Sequence, residues 1–128
     1  MTLINHETQA VSNRVIGAAI SVHQHLGPGL LESAYRQCLL WELTARGIAC
    51  RSEVPVGVFY RGHAIEAGYR LDLLVEESLV VELKSCDHLL PIHKSQVITY
   101  LRLCGLRAGL LINFNVQRLK DGVRRVLL

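Results

Sequence analysis

The stretch Tyr69-Arg70-Leu71-Asp72-Leu73-Leu74-Val75 is followed by Leu79-Val80-Val81-Glu82-Leu83-Lys84, with the polar Glu76-Glu77-Ser78 between them. Two apolar runs around a polar turn read as a β-hairpin with an Asp on one strand and a Glu-x-Lys on the next. Strand side chains alternate faces, so Glu82 and Lys84 point the same way, and Arg70 shares a face with Asp72. Two carboxylates and an ammonium on one face, flanked by apolar runs, are costly to assemble. Crowded carboxylates repel unless a proton or a cation joins them. A divalent metal is the usual remedy, and a metal beside a lysine is equipment for cleaving phosphodiesters. A solvated hairpin face with a cross-strand salt bridge is the cheaper explanation of the same charges. Surface pairs usually sit on more polar strands, and these two strands are strongly apolar on their other face.

Outward from this hairpin, the pattern predicts an α/β fold of order ααβββαββ. A helix is expected from about Glu7 to Leu26, with Val11, Val15, Ala18, Ala19, Val22 and Leu26 at helical spacing, stopped by Gly27-Pro28-Gly29. A second is expected from Leu31 to Arg46, with Tyr35, Cys38, Leu39 and Leu43 as its apolar stripe and Gly47 as the left-handed residue past its end. The period then changes. Cys50 to Tyr60 reads as one strand, which Pro55 places toward a sheet edge or a bulge. Arg61-Gly62-His63 reads as a turn, and Ile65 to Val75 as a second strand with Ile65, Ala67, Tyr69, Leu71, Leu73 and Val75 on one face. After the third strand comes a helix from Ile92 to Leu103, closed by Gly105. Ala108 to Phe114 is a near-continuous apolar run suited to a central strand covered on both sides. Lys120-Asp121-Gly122 is a turn before a last strand, Val123 to Leu127. Strand, helix and returning strand over 79–114 imply a parallel crossover, hence a mixed central sheet with helices on both faces.

The 128 residues suit a single domain with a real core, half of them hydrophobic and a fifth charged. A net charge of +3 permits a polyanionic partner without demanding one. The aromatic residues are Trp41, Phe59, Phe114 and four tyrosines, several on apolar stripes, so no stacking platform for single-stranded bases is evident and any grip on nucleic acid would rest on phosphates. Cys38, Cys50, Cys86 and Cys104 are widely spaced, and free thiols in a reducing cytoplasm are expected. No signal peptide is recognised, and no apolar run approaches the roughly 20 residues that cross a bilayer. A cytoplasmic protein without a membrane partner is the expectation.

Further candidate residues lie on the helices. Glu32 opens the second helix, where a carboxylate is favoured simply as a helix cap, but Tyr35 and Arg36 one turn on make a polar cluster around it. A third carboxylate there would complete an oxygen cage for Mg²⁺. Gln96 and Tyr100 share a face of the third helix, and a buried amide needs a partner. His23 is expected to be packed rather than ligating, and His25 to be solvated. His63, His88 and His93 form no ligand spacing.

The chain resembles a known family. Gly29-Leu30-Leu31-Glu32-Ser33-Ala34-Tyr35 resembles the motif that gives the GxxExxY proteins their name, and the resemblance extends in order through the Asp72 and Glu82-Leu83-Lys84 strands, Gln96-Val97-Ile98-Thr99-Tyr100 and Gly109 to Phe114. That family is grouped with the PD-(D/E)XK nucleases near their RecB-like branch. The resemblance implies a restriction-endonuclease-like core and a DNA substrate. It also implies a catalytic set of Asp72, Glu82, Lys84, Glu32, Gln96 and Tyr100. Mg²⁺ (Mn²⁺ may substitute) would be held by Glu32, Asp72, Glu82 and the Leu83 carbonyl, with Arg70 and Tyr35 against substrate. His23 resembles an upstream His of some of these enzymes. Leu71 stands where the superfamily has Pro, and the cysteine clusters of the iron–sulfur members are missing. Fold kinship does not by itself establish activity. A Holliday-junction-resolvase-like endonuclease, which implies a homodimer, a non-catalytic nucleic-acid-binding module and a protein-interaction module stay open.

Overall fold

The computed structural model describes residues 6–128. The element order is α1 (His6–Leu26), α2 (Glu32–Ala45), β1 (Cys50–Pro55), β2 (Val58–Tyr60), β3 (His63–Ile65), β4 (Arg70–Val75), β5 (Leu79–Lys84), α3 (Pro91–Cys104), β6 (Ala108–Asn113), a 3₁₀ turn (Leu119–Gly122) and β7 (Val123–Leu127). Five strands form one sheet in the order β1-β4-β5-β6-β7. Its β5–β6 pairing is parallel and the other pairings are antiparallel, which gives the expected mixed sheet. The parallel pair is joined through α3, as a returning strand requires.

The apolar spacing explains the layers. Val11, Val15, Ala18, Ala19 and Val22 of α1 and Tyr35, Leu39 and Leu43 of α2 are buried against Leu73, Val75, Leu79, Val81, Leu83, Leu110 and Ile112 on one sheet face. Val97, Tyr100 and Leu101 of α3 pack with Leu74, Val80, Leu111 and Val126 on the other. All six residues of β6 are buried, as expected for a strand covered on both sides. α2 ends into Gly47 at φ 74°, and α3 into Gly105 at φ 67°, both left-handed positions where glycine has no Cβ penalty. Among the described residues, no helix is long and apolar enough to cross a membrane.

Two strand expectations are corrected. Cys50–Tyr60 and Ile65–Val75 are each broken, and the inner pieces form a separate two-stranded ribbon, β2–β3. Pro55 at the end of β1 cannot donate to a ladder. Arg61 and Gly62, both at positive φ (48° and 81°), make a tight two-residue turn of the primed kind that closes Tyr60 onto His63. The ribbon therefore leaves the sheet edge as a flap, and residues 59–70 are all exposed. The expected single face of Ile65, Ala67, Tyr69, Leu71, Leu73 and Val75 is corrected with it. Leu73 and Val75 lie with α1 and α2, whereas Leu71 packs with Val56 on the α3 side. Opposite Asp72 the β1–β4 ladder is interrupted, and Glu53 there has φ 51°.

Gly122 abuts the end of β6 closely. A Cβ on it would collide with the Asn113 carbonyl oxygen and come within 3.2 Å of Val116 Cγ2. Gly122→Ala should cost about 1–3 kcal/mol, a fall of roughly 5–15 °C in Tm, read by calorimetry. An unchanged melting temperature would show that this end of β6 is looser than its packing implies.

Candidate functional site

The last ladder bridge between β4 and β5 is Leu73 with Val81. One residue further on, Asp72 and Glu82 stand where the next pair would be, and their side chains take over. Glu82 Oε1 accepts the Asp72 backbone N–H at 3.0 Å, and Asp72 Oδ2 accepts the Leu83 N–H at 2.8 Å. Each carboxylate thus binds the backbone of the opposite strand. This reciprocal brace holds the two acids side by side at the carboxyl end of β5, the end at which the flap also emerges.

Glu82 is only 5 % exposed. Burial, followed by the charge of Asp72, pushes its carboxyl up to about 8, against the opposing pull of the Asp72 N–H and Lys84. Asp72 is more open, and the guanidinium of Arg36 lies 4.0 Å from Asp72 Oδ1 and 3.5 Å from Glu53. Lys84 follows Glu82 on the same strand face and lines a cleft with Gln96 and Tyr100. The Gln96 Nε2 donates to the Tyr100 hydroxyl at 3.1 Å, so these two residues act as one unit on α3. Burial and the nearby Glu82 charge raise the Tyr100 hydroxyl.

Other candidates fall differently. Glu32 is exposed at the start of α2 and shares a shallow hollow with Leu30, Leu31, Ser33 and Ser85. It lies at the same end of the sheet, but Arg36, one turn later on α2, is the α2 residue that reaches Asp72. Among the described residues, no group of three or more His, Cys, Asp and Glu side chains is placed to hold a metal ion. The pair that is assembled, two carboxylates of which one is buried and strongly disfavoured as an anion, has the donor chemistry that a hard divalent cation relieves.

Tyr35 is a correction to the expected substrate contact. Its ring is fully buried and stacks on Phe114 at 4.4 Å, and its hydroxyl donates to the Gly27 carbonyl and accepts the Leu30 N–H. It pins the Gly27–Leu30 turn, and no ring face is left for a ligand. Arg70 is exposed at the root of the flap. His23 is packed as expected, its Nε2 2.7 Å from the Val116 carbonyl, and His25 is exposed. The cysteines are free thiols, three half-buried and Cys104 exposed.

Sequence reasoning missed Asn113. It is buried at the end of β6, its Oδ1 accepting the Cys86 and Asn115 N–H groups and its Nδ2 donating to the Cys86 carbonyl. It fixes the chain just after Lys84, where Phe114 N also donates to the Lys84 carbonyl. The available signal was a single amide interrupting an apolar run, because a buried amide must be bonded.

The family model of the PD-(D/E)XK nuclease superfamily matches residues 9–126, and the chain belongs to that superfamily. No curated protein and no solved structure matches.

The Glu82 shift has a defined pH consequence. Its folded value, about 8, lies above its ordinary 4.5, so between these values the folded state binds more protons than the unfolded state. The contribution of this group is full below about 4.5 and is lost as pH rises through about 8. Denaturant melts in EDTA should show wild type losing up to a few kcal/mol over this range relative to Glu82→Gln, which keeps an acceptor for the Asp72 N–H. Glu82→Gln should then melt no lower than wild type near pH 8. A clear drop would mark Glu82 as half of a structural salt bridge.

Proposed function

We propose that the chain is a metal-dependent nuclease that hydrolyses phosphodiester bonds of DNA, and that within its superfamily it is one of the GxxExxY proteins. The observation that carries this reading is the brace itself. It holds a buried Glu82, protonation-prone without a cation, against Asp72, with Lys84 next on the same strand face. Mg²⁺, or Mn²⁺ in its place, would be held by Asp72 and Glu82 with Glu32 and the Leu83 carbonyl as further oxygen donors, and supplies the Lewis acidity that makes water a nucleophile near neutral pH.

The chain's own residues do the rest. Lys84 orients the attacking water and stabilises the charge that grows on the pentavalent phosphorus. Gln96 and Tyr100, bonded to each other in the cleft beside Lys84, hold a phosphate or Lys84 itself. Arg70, exposed at the flap root, pairs with the substrate backbone. Arg36 offsets the Asp72 charge while no substrate is present. One observation favours a second reading, a nucleic-acid-binding module without turnover. The Arg36 guanidinium, 4.0 Å from Asp72 Oδ1, already supplies this carboxylate with a cation.

Thermal melts test the metal site, and Lys84→Ala separates the two readings. Thermal melts in EDTA, Mg²⁺ and Mn²⁺ should rank the metal-bound protein higher, by about 2.7 kcal/mol at 100 times the dissociation constant. Identical melting temperatures would remove the metal site. Lys84→Ala should lower cleavage of plasmid and branched DNA with Mn²⁺ by about 10²–10³, while barely changing affinity measured with Ca²⁺. In a binding module the same change would weaken affinity and reduce the salt slope by about one, and wild type would cleave nothing.

A further inference from the structure

The flap and α3 enclose a cleft of about 640 Å³ that runs to Lys84. Val58 and Tyr69 of the flap region and Ile92 and Leu103 of α3 give it mostly apolar walls, and Lys84 and Gln96 add its polar end. Among the described residues, no carboxylate lines it. α3 carries His93, Lys94 and Arg102 and no acidic residue at all. The walls are open to solvent: Ile92 is 67 % exposed and Tyr69 49 %. Beyond them, the flap holds out Phe59 and Tyr60, 70 % and 62 % exposed, with the Arg61 guanidinium 5.5 Å over the Tyr60 ring. These rings escape the core because the flap leaves the sheet at Pro55 and Arg70, the last bridge of β1 with β4 and two residues from Asp72. The sequence shows no stacking platform, but Phe59, Tyr60 and Tyr69 are all exposed in the structure.

A phosphate backbone needs cations and hydrogen-bond donors, not apolar walls or open aromatic faces. A base turned out of its stack needs both walls and rings. In an intact duplex the bases are paired and stacked inside, so this cleft would find little to bind. We propose that the cleft between the flap and α3 receives an unstacked base, with the adjoining phosphate directed to Lys84, so that the substrate class is single-stranded DNA or the unpaired strand of a frayed or branched structure. This rests on the nuclease reading for the place of the phosphate. The occupant itself is argued from the apolar, carboxylate-free walls and the cationic surroundings.

The test is binding of one short 2-aminopurine-labelled oligonucleotide, single-stranded and as a blunt duplex, with Ca²⁺ and again with EDTA, across a salt series. The expected result is tighter binding of the single strand by about tenfold or more, with the stacking-dependent fluorescence of the probe altered. Tyr69→Leu, which keeps apolar area and removes the aromatic face, should weaken single-strand binding about tenfold, one stacked base, without changing the salt slope. Tyr69→Phe should bind as wild type. Equal affinity for the two forms, or wild-type binding by both Tyr69→Leu and Phe59→Ala, would overturn the proposal. So would absence of binding to either form, which would leave the cleft to an apolar segment of a protein. Cleavage with Mn²⁺ is scored separately. Single-strand binding lost in Tyr69→Leu but with no cleavage by wild type supports the cleft and refutes the nuclease. Undiminished cleavage of single strands by Tyr69→Leu supports the nuclease and refutes the cleft.

Discussion

Where β4 and β5 separate, two side-chain carboxylates replace the backbone ladder. Asp72 accepts from the Leu83 N–H and Glu82 from the Asp72 N–H, so side chains join the strands where the ladder stops at Leu73 and Val81. The rest of the site depends on this constraint. It buries Glu82, sets it against a like charge and raises its affinity for a proton. It also aims Lys84, two residues on, into the cleft beside α3. Two acids are kept together against their own repulsion by backbone N–H donors that the opposite strand supplies.

The surroundings keep this junction rigid from both sides. Below it, Tyr35 stacks on Phe114 and ties down the Gly27–Leu30 turn, so the residue that begins like a ligand-binding tyrosine is part of the frame. Beyond Lys84, Asn113 satisfies both backbone groups of Cys86 and the N–H of Asn115. The third side is the flap, whose residues 59–70 are exposed. The flap carries Phe59 and Tyr60 into solvent, beside the cleft of mostly apolar walls that ends at Lys84. A rigid frame with one open, adaptable wall suits recognition of a flexible polymer, because affinity then comes from the polymer's exposed bases as well as from its charge.

Much of the layout was legible in the chain. The apolar runs around Glu76-Glu77-Ser78 mark β4 and β5, the spacing of Val11 to Val22 marks α1, and the near-continuous apolar run from Ala108 to Phe114 marks the doubly covered strand. The pairing of Gln96 with Tyr100 follows from their one-turn separation. The flap was not legible as a flap. Val58, Phe59 and Ile65 have the composition of buried strand residues, and only the turn at Arg61-Gly62 together with Pro55 hints that they pair with each other instead of the sheet. Arg36 in the place of Glu32 beside Asp72 was equally hidden, because one helical turn decides which side chain of α2 reaches the strand.

The sequence by itself determined the class of fold and the identity of the charged residues on the two central strands, since periodicity and alternation are local properties that survive in any compact arrangement. Membership of the PD-(D/E)XK nuclease superfamily is likewise carried by the sequence, over residues 9–126. Only the tertiary structure decided which carboxylates meet, which cation accompanies them and which aromatic rings stay in water. Those outcomes depend on where the β4–β5 ladder stops and where the β1 edge releases the chain, and both are set by contacts between residues distant in sequence.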